Sequence, residues 1–217
     1  IIKINQLDVE SKNTQIYRMP DKTLNCERHK SIFEHYGIIP NFCFSCIKIQ
    51  IDISQVVDLV RLFLLFDRLE FLSRNIRKCM IEIRASVAGR YKGIVYCRSI
   101  SEAEDILKKL QPSVKNFLKT QPKFKIKRGC SEFEPAFPGY SEVSSIDHEM
   151  MLYNPAWERV ENFWDQSHSK RIFVPTPTVP GISLADYLII KNWFAYGQKI
   201  GDKTSEVMGP KVRLNDE

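Results

Sequence analysis

The stretch Ile47-Lys48-Ile49-Gln50-Ile51-Asp52-Ile53 decides the fold of this 217-residue chain. Apolar and polar residues alternate through the whole stretch, which is the pattern of a β-strand with one buried face. Ser54 follows as a candidate N-cap for a helix that runs to about Asp67. The apolar positions of that helix recur at helical spacing, and they are Val56, Val57, Val60, Phe63 and Leu64.

Four further elements follow along the chain. Residues 79–84 and 92–97 alternate in the same way and predict a hairpin that turns near Ala88-Gly89. Ser101 and Glu104 form a capping box for a second helix, which Pro112 is expected to kink or restart. Residues 123–127 alternate lysines with Phe124 and Ile126 and predict a last short strand.

The order β-α-β-β-α-β between residues 46 and 130 predicts an α+β protein of the ferredoxin-like, split β-α-β class. We expect a four-stranded, mainly antiparallel sheet packed against two helices. Numbered along the chain, its strands should lie in the order 4-1-3-2, with the first and third strands parallel to each other. Residues 1–45 are then an N-terminal extension that carries Cys/His pairs. Residues 131–217 form a C-terminal helical extension, with helix starts at Asn154 and Ser183, and we expect it to pack on the domain.

Charge is concentrated in the predicted domain. Between Cys46 and Cys130 there are 18 Lys and Arg against 8 Asp and Glu, although the whole chain carries only +6. A basic domain suits nucleic acid or an acidic protein surface, whereas a merely solvated lysine-rich surface is the plainer alternative. The longest apolar run, Leu62 to Phe66, is far below the roughly 20 residues of a membrane span.

Two short Cys/His pairs precede the first predicted strand. Cys26-Glu27-Arg28-His29 and Cys43-Phe44-Ser45-Cys46 are separated by 13 residues, a pattern that fits a tetrahedral zinc site. If the last strand lies beside the first, Cys130 joins them as a competing fourth ligand to His29. A simple dithiol or unrelated thiols are the alternatives, and a histidine in the set makes an iron–sulfur cluster the weaker choice.

The sheet face opposite the predicted helices displays a basic platform. Its candidate nucleic-acid or partner-binding residues are Lys48, Arg84, Lys92, Tyr96, Lys123, Lys125 and Lys127. The stretch from Arg90 to Cys97 is loosely similar to the third-strand motif of the RNA-recognition motif family, in its basic first residue, Gly93 and Val95. Lys92 and Ile94 stand where that family has stacking aromatics, so the pattern favours phosphate contacts over base reading.

The sequence offers a thiol-dependent enzyme as a second hypothesis. Lys127-Arg128-Gly129-Cys130 places a thiol beside two cations, a setting that lowers a thiol pKa, and Cys130 would act with the Cys43/Cys46 pair. His29 or His148 is the candidate base, and Asp147-His148-Glu149 is a candidate metal-binding loop. Six cysteines are too few for a disulfide scaffold, so we expect a reduced, cytoplasmic protein. The first hypothesis, which the sequence favours, is a non-catalytic binding module with a basic ferredoxin-like core, with zinc as a candidate stabilising ion, that docks on nucleic acid or an acidic protein partner; the enzyme is the alternative.

Overall fold

A computed structural model describes residues 14–19, 25–84, 87–143, 150–168, 178 and 180–208. Over these residues the chain is a mixed α+β protein, built on one open five-stranded antiparallel sheet and six α-helices. The strands are β1 Gln15–Arg18, β2 Ile47–Ile53, β3 Arg77–Ile81, β4 Tyr91–Cys97 and β5 Lys123–Arg128. The helices are α1 Cys26–Tyr36, α2 Asn41–Ser45, α3 Val56–Arg68, α4 Ile100–Phe117, α5 Glu158–Ser167 and α6 Leu184–Lys199, with 3-10 turns at Pro155–Trp157 and Lys203–Met208.

The sheet order is β1-β3-β4-β2-β5, and all four strand pairings are antiparallel. The four predicted strands therefore pair in the expected order, but the expected parallel pairing of the first and third strands is wrong. β1, inside the segment predicted to be an irregular extension, adds a fifth strand at the β3 edge. The predicted four-stranded sandwich accordingly describes the sheet only in part.

The main hydrophobic core lies between one face of the sheet and the helices. The four isoleucines of β2, at positions 47, 49, 51 and 53, all point into it, as their alternation with polar residues predicts. α3 and α4 supply the opposing layer, with Leu59 and Leu110 fully buried. Gly93 admits this close packing, because an added Cβ there would lie 2.2 Å from the Leu62 side chain.

Two helix starts differ from the prediction, the first because of a tertiary contact and the second because a different local residue caps the helix. α3 begins after Gln55, and the Val56 amide donates to the Asp202 carboxylate at 2.7 Å. The N-terminus of α3 is therefore capped by the distant Asp202 and not by Ser54, the predicted N-cap. α4 begins after Ser99, whose hydroxyl accepts from the Glu102 amide at 3.1 Å. Ser101 is therefore inside the helix, and α4 runs unbroken through Pro112.

The C-terminal helix α6 begins at the predicted cap, where Ser183 and Asp186 form a complete capping box. Ile190, Trp193 and Phe194 enter the same core as α3 and β3, and the Trp193 indole donates to the Thr14 carbonyl at 2.8 Å. α6 thus packs on the helical side of the sheet. In the part of the chain that the structure describes, no helix is both long and apolar enough to cross a membrane.

Candidate metal centre

Three separate structural elements bring four thiols together at one end of the sheet. Cys26 opens α1, Cys43 lies within the short helix α2, and Cys46 follows that helix directly. Cys130 comes two residues after β5. Of these four, Cys43 and Cys46 are buried, Cys130 is partly buried, and Cys26 is exposed.

The pairing of β2 with β5 is what joins the distant Cys130 to the other thiols. Ile47 stands opposite Arg128, so the start of the first predicted strand lies beside the end of the last one, as the sequence predicted. The Gly129 amide extends this ladder by donating to the Cys46 carbonyl at 2.7 Å. An added Cβ at Gly129 would lie 2.5 Å from the Cys46 sulfur, so the backbones approach closely only because residue 129 has no side chain.

The thiols interact through Cys130. Cys26 and Cys43 each form a side-chain hydrogen bond with Cys130, and these two bonds are the largest cause of the strongly lowered pKa of the Cys130 thiol. The same bonds raise the pKa values of Cys26 and Cys43, and burial adds to the rise at Cys43. Burial, and then the charge of Cys130, raises the pKa of Cys46 to about 12. Of the four thiols, Cys130 is the one whose pKa is shifted towards the thiolate, whereas the pKa values of the other three are raised.

His29, the other candidate ligand, lies near this group but is oriented by an aromatic contact. Its buried ring stacks on Phe42 with the ring centres 5.0 Å apart. Burial lowers the pKa of His29, which favours the neutral imidazole. The structure therefore brings together Cys26, Cys43, Cys46 and Cys130, with His29 next to them rather than among the hydrogen-bonded thiols.

Two lysines from the far face of the sheet border the thiols. The Lys48 ammonium donates to the Gly129 carbonyl at 2.9 Å, and burial lowers its pKa to about 8. Lys78 lies over the Tyr17 and Tyr96 rings, with its nitrogen 5.5 and 5.9 Å from their centres. Lys48 contributes to the low pKa of Cys130. The sequence suggested Arg128 for this role, but its guanidinium packs on the Phe44 and Tyr140 rings instead.

No set of three or more His, Cys, Asp or Glu side chains in the described part of the chain is arranged to hold a metal ion as it stands. Protonated thiols hydrogen-bonded to one thiolate need not point at a common centre, since a metal replaces those protons when it binds. The candidate loop Asp147-His148-Glu149 lies outside the described residues.

The remaining two cysteines do not belong to this group. Their alternation with Ile81 and Val95 predicts that Cys79 and Cys97 face the helices and lie directly opposite each other, and both are buried in the main core on the helical side of the sheet. They are not opposite each other, because Cys79 pairs with Gly93 and Cys97 pairs with Ile47. The pairing of Ile81 with Tyr91 sets this register, which differs from that of a hairpin centred near Ala88.

The predicted basic platform is only partly exposed. Lys48 and Lys92 are buried, and Lys92 forms an ion pair with Glu82 at 3.0 Å, so neither ammonium group is displayed to solvent. Arg84 is exposed but also pairs with Glu82, at 2.8 Å, and Tyr96 is half-buried. Lys123 and Lys125 are exposed on the edge strand β5, where Lys125 also pairs with Asp52 at 3.3 Å, and Lys127 is half-buried there. The accessible cations thus lie along the β5 edge.

Two residues that the sequence did not single out support the site. The Tyr140 hydroxyl donates to the Cys43 carbonyl at 2.8 Å and so fixes α2 from a segment 97 residues away. Tyr17, in the unpredicted strand β1, brings an aromatic ring to the Lys78 ammonium. No local pattern marks either of them, because each acts through a contact between segments far apart in the chain.

No family model, curated protein or solved structure matches this chain. The geometry of the described residues is therefore the basis for assigning its function.

Proposed function

We propose that this protein is a non-catalytic binding module with a ferredoxin-like core, stabilised by one zinc ion and docking on nucleic acid through a basic edge. The zinc site is proposed because four cysteines from three structural elements come together where Cys46 and Gly129 meet. Docking on nucleic acid is proposed because exposed lysines lie on and beside β5. The two parts are tested separately below.

Zinc is the metal that suits a set of four cysteine sulfurs, because Zn²⁺ prefers closed tetrahedral thiolate sites when its role is structural. Cys43 and Cys46 would form one chelating pair, and Cys26 and Cys130 would complete the set. His29 is the alternative to Cys130, but the hydrogen bonds from Cys26 and Cys43 to Cys130 favour the all-cysteine set. Such an ion would tie α1, α2 and the end of β5 into one unit.

Binding of zinc requires loss of the thiol protons, and deprotonation is most favourable at Cys130. The pKa of that thiol is already lowered, and the buried Lys48 ammonium lies nearby to offset negative charge. A site of four thiolates and one Zn²⁺ would carry a net charge of about −2, so nearby cations lower the cost of burying it. Zinc–thiolate chemistry and free thiols suit a reducing compartment, and we therefore propose the cytoplasm.

The docking surface, here called the basic edge, consists of four exposed lysines. Lys123 and Lys125 lie on the edge strand β5, while Lys115 and Lys119 lie at the end of α4 and just after it. Exposed lysines on an edge strand also prevent strand-to-strand aggregation, which is the plainer explanation for β5 alone. Their continuation onto α4, in a domain with a net positive charge, favours contacts with phosphates.

The zinc proposal is tested by elemental analysis of protein purified without chelator. We expect one zinc per chain and loss of folded structure, seen by circular dichroism, when the zinc is removed. Cys130→Ser should lose the zinc, whereas Cys79→Ser removes a thiol outside the cluster and should retain it. His29→Ala distinguishes the two ligand sets, because the all-cysteine site keeps its metal in that variant. A metal-free wild-type protein with an intact fold would rule the zinc site out.

The docking proposal is tested by binding to mixed-sequence single-stranded RNA and duplex DNA over a salt series. Phosphate contacts release counterions, so affinity should fall linearly with salt on logarithmic axes. Replacing Lys115, Lys119, Lys123 and Lys125 by Gln should reduce that slope. A control of equal charge change replaces the exposed Lys30, Lys191, Lys199 and Lys203 by Gln. Equal loss in both variants, or binding only to an acidic protein, would remove nucleic acid as the partner of this edge.

The lowered pKa of Cys130 favours a second candidate, a thiol-dependent enzyme that uses Cys130 with the Cys43/Cys46 pair. In that case the protein is metal-free, and Cys130 is a reactive nucleophile while its neighbours stay protonated. The same sulfur cannot be a zinc ligand and a free nucleophile at once. Metal content therefore separates the two candidates.

A further inference from the structure

A pocket of about 280 Å³ lies beside Cys46 of the thiol cluster. It is bordered by α2, by the end of β4, and by the loop that leads into β3. Its lining residues are Phe42, Ser45, Cys46, Ser73, Arg74, Asn75, Ile76, Tyr96, Cys97 and Arg98. The volume is near the lower limit of known ligand pockets, about 300–1,000 Å³, and so suits a small molecule.

The lining combines apolar walls with positive charge. Phe42, Ile76 and Tyr96 provide side chains for an apolar body, whereas Arg74 and Arg98 are exposed and bring two guanidinium groups. Among the described lining residues there is no carboxylate, and neither arginine forms an ion pair within 4.0 Å with any residue that the structure describes. Arg98 does attract the nearby Glu102 carboxylate, which is outside the lining.

Asn75 adds a polar group to the wall. Its amide nitrogen donates to the Tyr96 carbonyl at 2.9 Å and to Glu102 at 3.1 Å, and these two acceptors fix the orientation of the amide. The amide oxygen is buried and has no hydrogen-bond partner among the described residues. A carboxylate offers no donor to this oxygen, so Asn75 shapes the wall of the pocket and does not contribute to the selection of an anion.

We propose that this pocket binds a small organic anion, with its apolar body between Phe42, Ile76 and Tyr96 and its carboxylate or phosphate against Arg74 and Arg98. Charge complementarity selects the anion, because two guanidinium groups that form no ion pair with any described residue border an apolar cavity. The pocket is a binding site separate from the basic edge, and it does not depend on the proposed zinc ion for its ligand contacts. Its only shared residue with the thiol cluster is Cys46.

The test uses 2-naphthoate as the anionic probe and 2-naphthamide as its neutral match, with binding followed by chemical-shift changes in the protein. We expect the carboxylate to bind at least about tenfold more tightly than the amide, since charged hydrogen bonds exceed neutral ones by roughly the 1.4 kcal/mol that tenfold represents. Shifted resonances should include those of Ile76 and Cys97. The affinities are measured with and without added zinc, and we expect the same preference for the carboxylate in both cases.

Two variants complete the test. Arg74→Gln combined with Arg98→Gln should remove the preference for the carboxylate, whereas the control Arg159→Gln changes an exposed arginine on α5 and should preserve it. Ser73→Trp should block both probes by filling the pocket, and its fold is checked by circular dichroism. Equal binding of the two probes, an unchanged preference in the double variant, or failure of 2-naphthoate to bind the folded protein would each overturn the proposal.

Discussion

The Gly129 amide and the Cys46 carbonyl are joined by a hydrogen bond of 2.7 Å, which connects the end of the last strand to the residue after α2. This bond places Cys130 beside Cys26, Cys43 and Cys46, although 84 positions separate Cys46 from Cys130. Backbone pairing therefore brings Cys130 to Cys43 and Cys46, while the fourth thiol, Cys26, comes from α1.

Gly129→Ala should disturb the cluster, because the new methyl group would lie 2.5 Å from the Cys46 sulfur. We expect the free energy of unfolding to fall by about 1–3 kcal/mol, the usual cost of overpacking a tight site, and zinc affinity to fall with it. Urea denaturation and zinc titration measure the two effects. Ser131→Ala, two positions along, is the control and should change neither. Unaltered stability in the alanine variant would mean that the Cys46–Gly129 approach is not tight.

Glu82 should make stability depend on pH in the acid range. Its carboxylate binds Arg84 and Lys92, and these hydrogen bonds overcome the effect of burial and lower the pKa from 4.5 to about 2. Because the folded protein has the lower pKa, the contribution is complete above about pH 4.5 and is lost as the pH falls towards 2.

Over that range we expect Glu82 to account for a loss of about 2–3 kcal/mol in the free energy of unfolding. Denaturation of wild type and Glu82→Gln at a series of pH values measures it, and the variant should have the flatter curve. Glu34→Gln, at an exposed position, is the control. Parallel pH curves for wild type and Glu82→Gln would contradict the prediction.

Arg18 should be essential for joining the unpredicted strand β1 to two helices. Its guanidinium binds Asp67 of α3 at 2.7 Å and Asp186 of α6 at 3.1 Å, and all three side chains are largely buried. Arg18→Leu leaves two buried carboxylates without their partner, so we expect a loss of about 3–5 kcal/mol in the free energy of unfolding.

Replacing both carboxylates as well, in the triple variant Arg18→Leu, Asp67→Asn and Asp186→Asn, should restore part of that loss. Thermal and urea denaturation of the two variants decide the point. If the triple variant is less stable than the single one, unpaired charge is not the reason for the loss.

Cys130 should be the most reactive thiol when the protein is free of metal. Its pKa is lowered by the hydrogen bonds from Cys26 and Cys43, whereas burial raises the pKa values of Cys79 and Cys97. Iodoacetamide at about pH 6, followed by peptide mass spectrometry, should label Cys130 first. Cys79 and Cys97 are the internal controls and should stay unlabelled in the folded protein.

Added zinc separates the two functional candidates in the same assay. A structural site protects Cys130 at one equivalent of zinc, while a free catalytic thiol remains reactive. Equal labelling of Cys26 and Cys130 without metal would contradict the hydrogen-bonded arrangement of the thiols.

Much of the sheet was predictable from local patterns. β2 has the bounds that its alternation predicts, Ile47–Ile53, because every second residue enters the core. The Ser183 cap of α6 was also predicted correctly, since its partner Asp186 lies only three residues away. The N-terminal cap of α3 was not predicted correctly, because the residue that caps it is Asp202, and no local pattern connects Asp202 to Val56.

The sequence alone determined which residues share a face and the order in which the elements follow, because side-chain periodicity is a property of neighbouring residues. It also indicated that Cys130 would meet Cys46, through the pairing of two strands. Only the tertiary structure decided that β1 joins the sheet and that Lys48 and Lys92 are buried. Alternation shows that two residues point the same way, but whether that side meets water depends on segments packed from elsewhere in the chain.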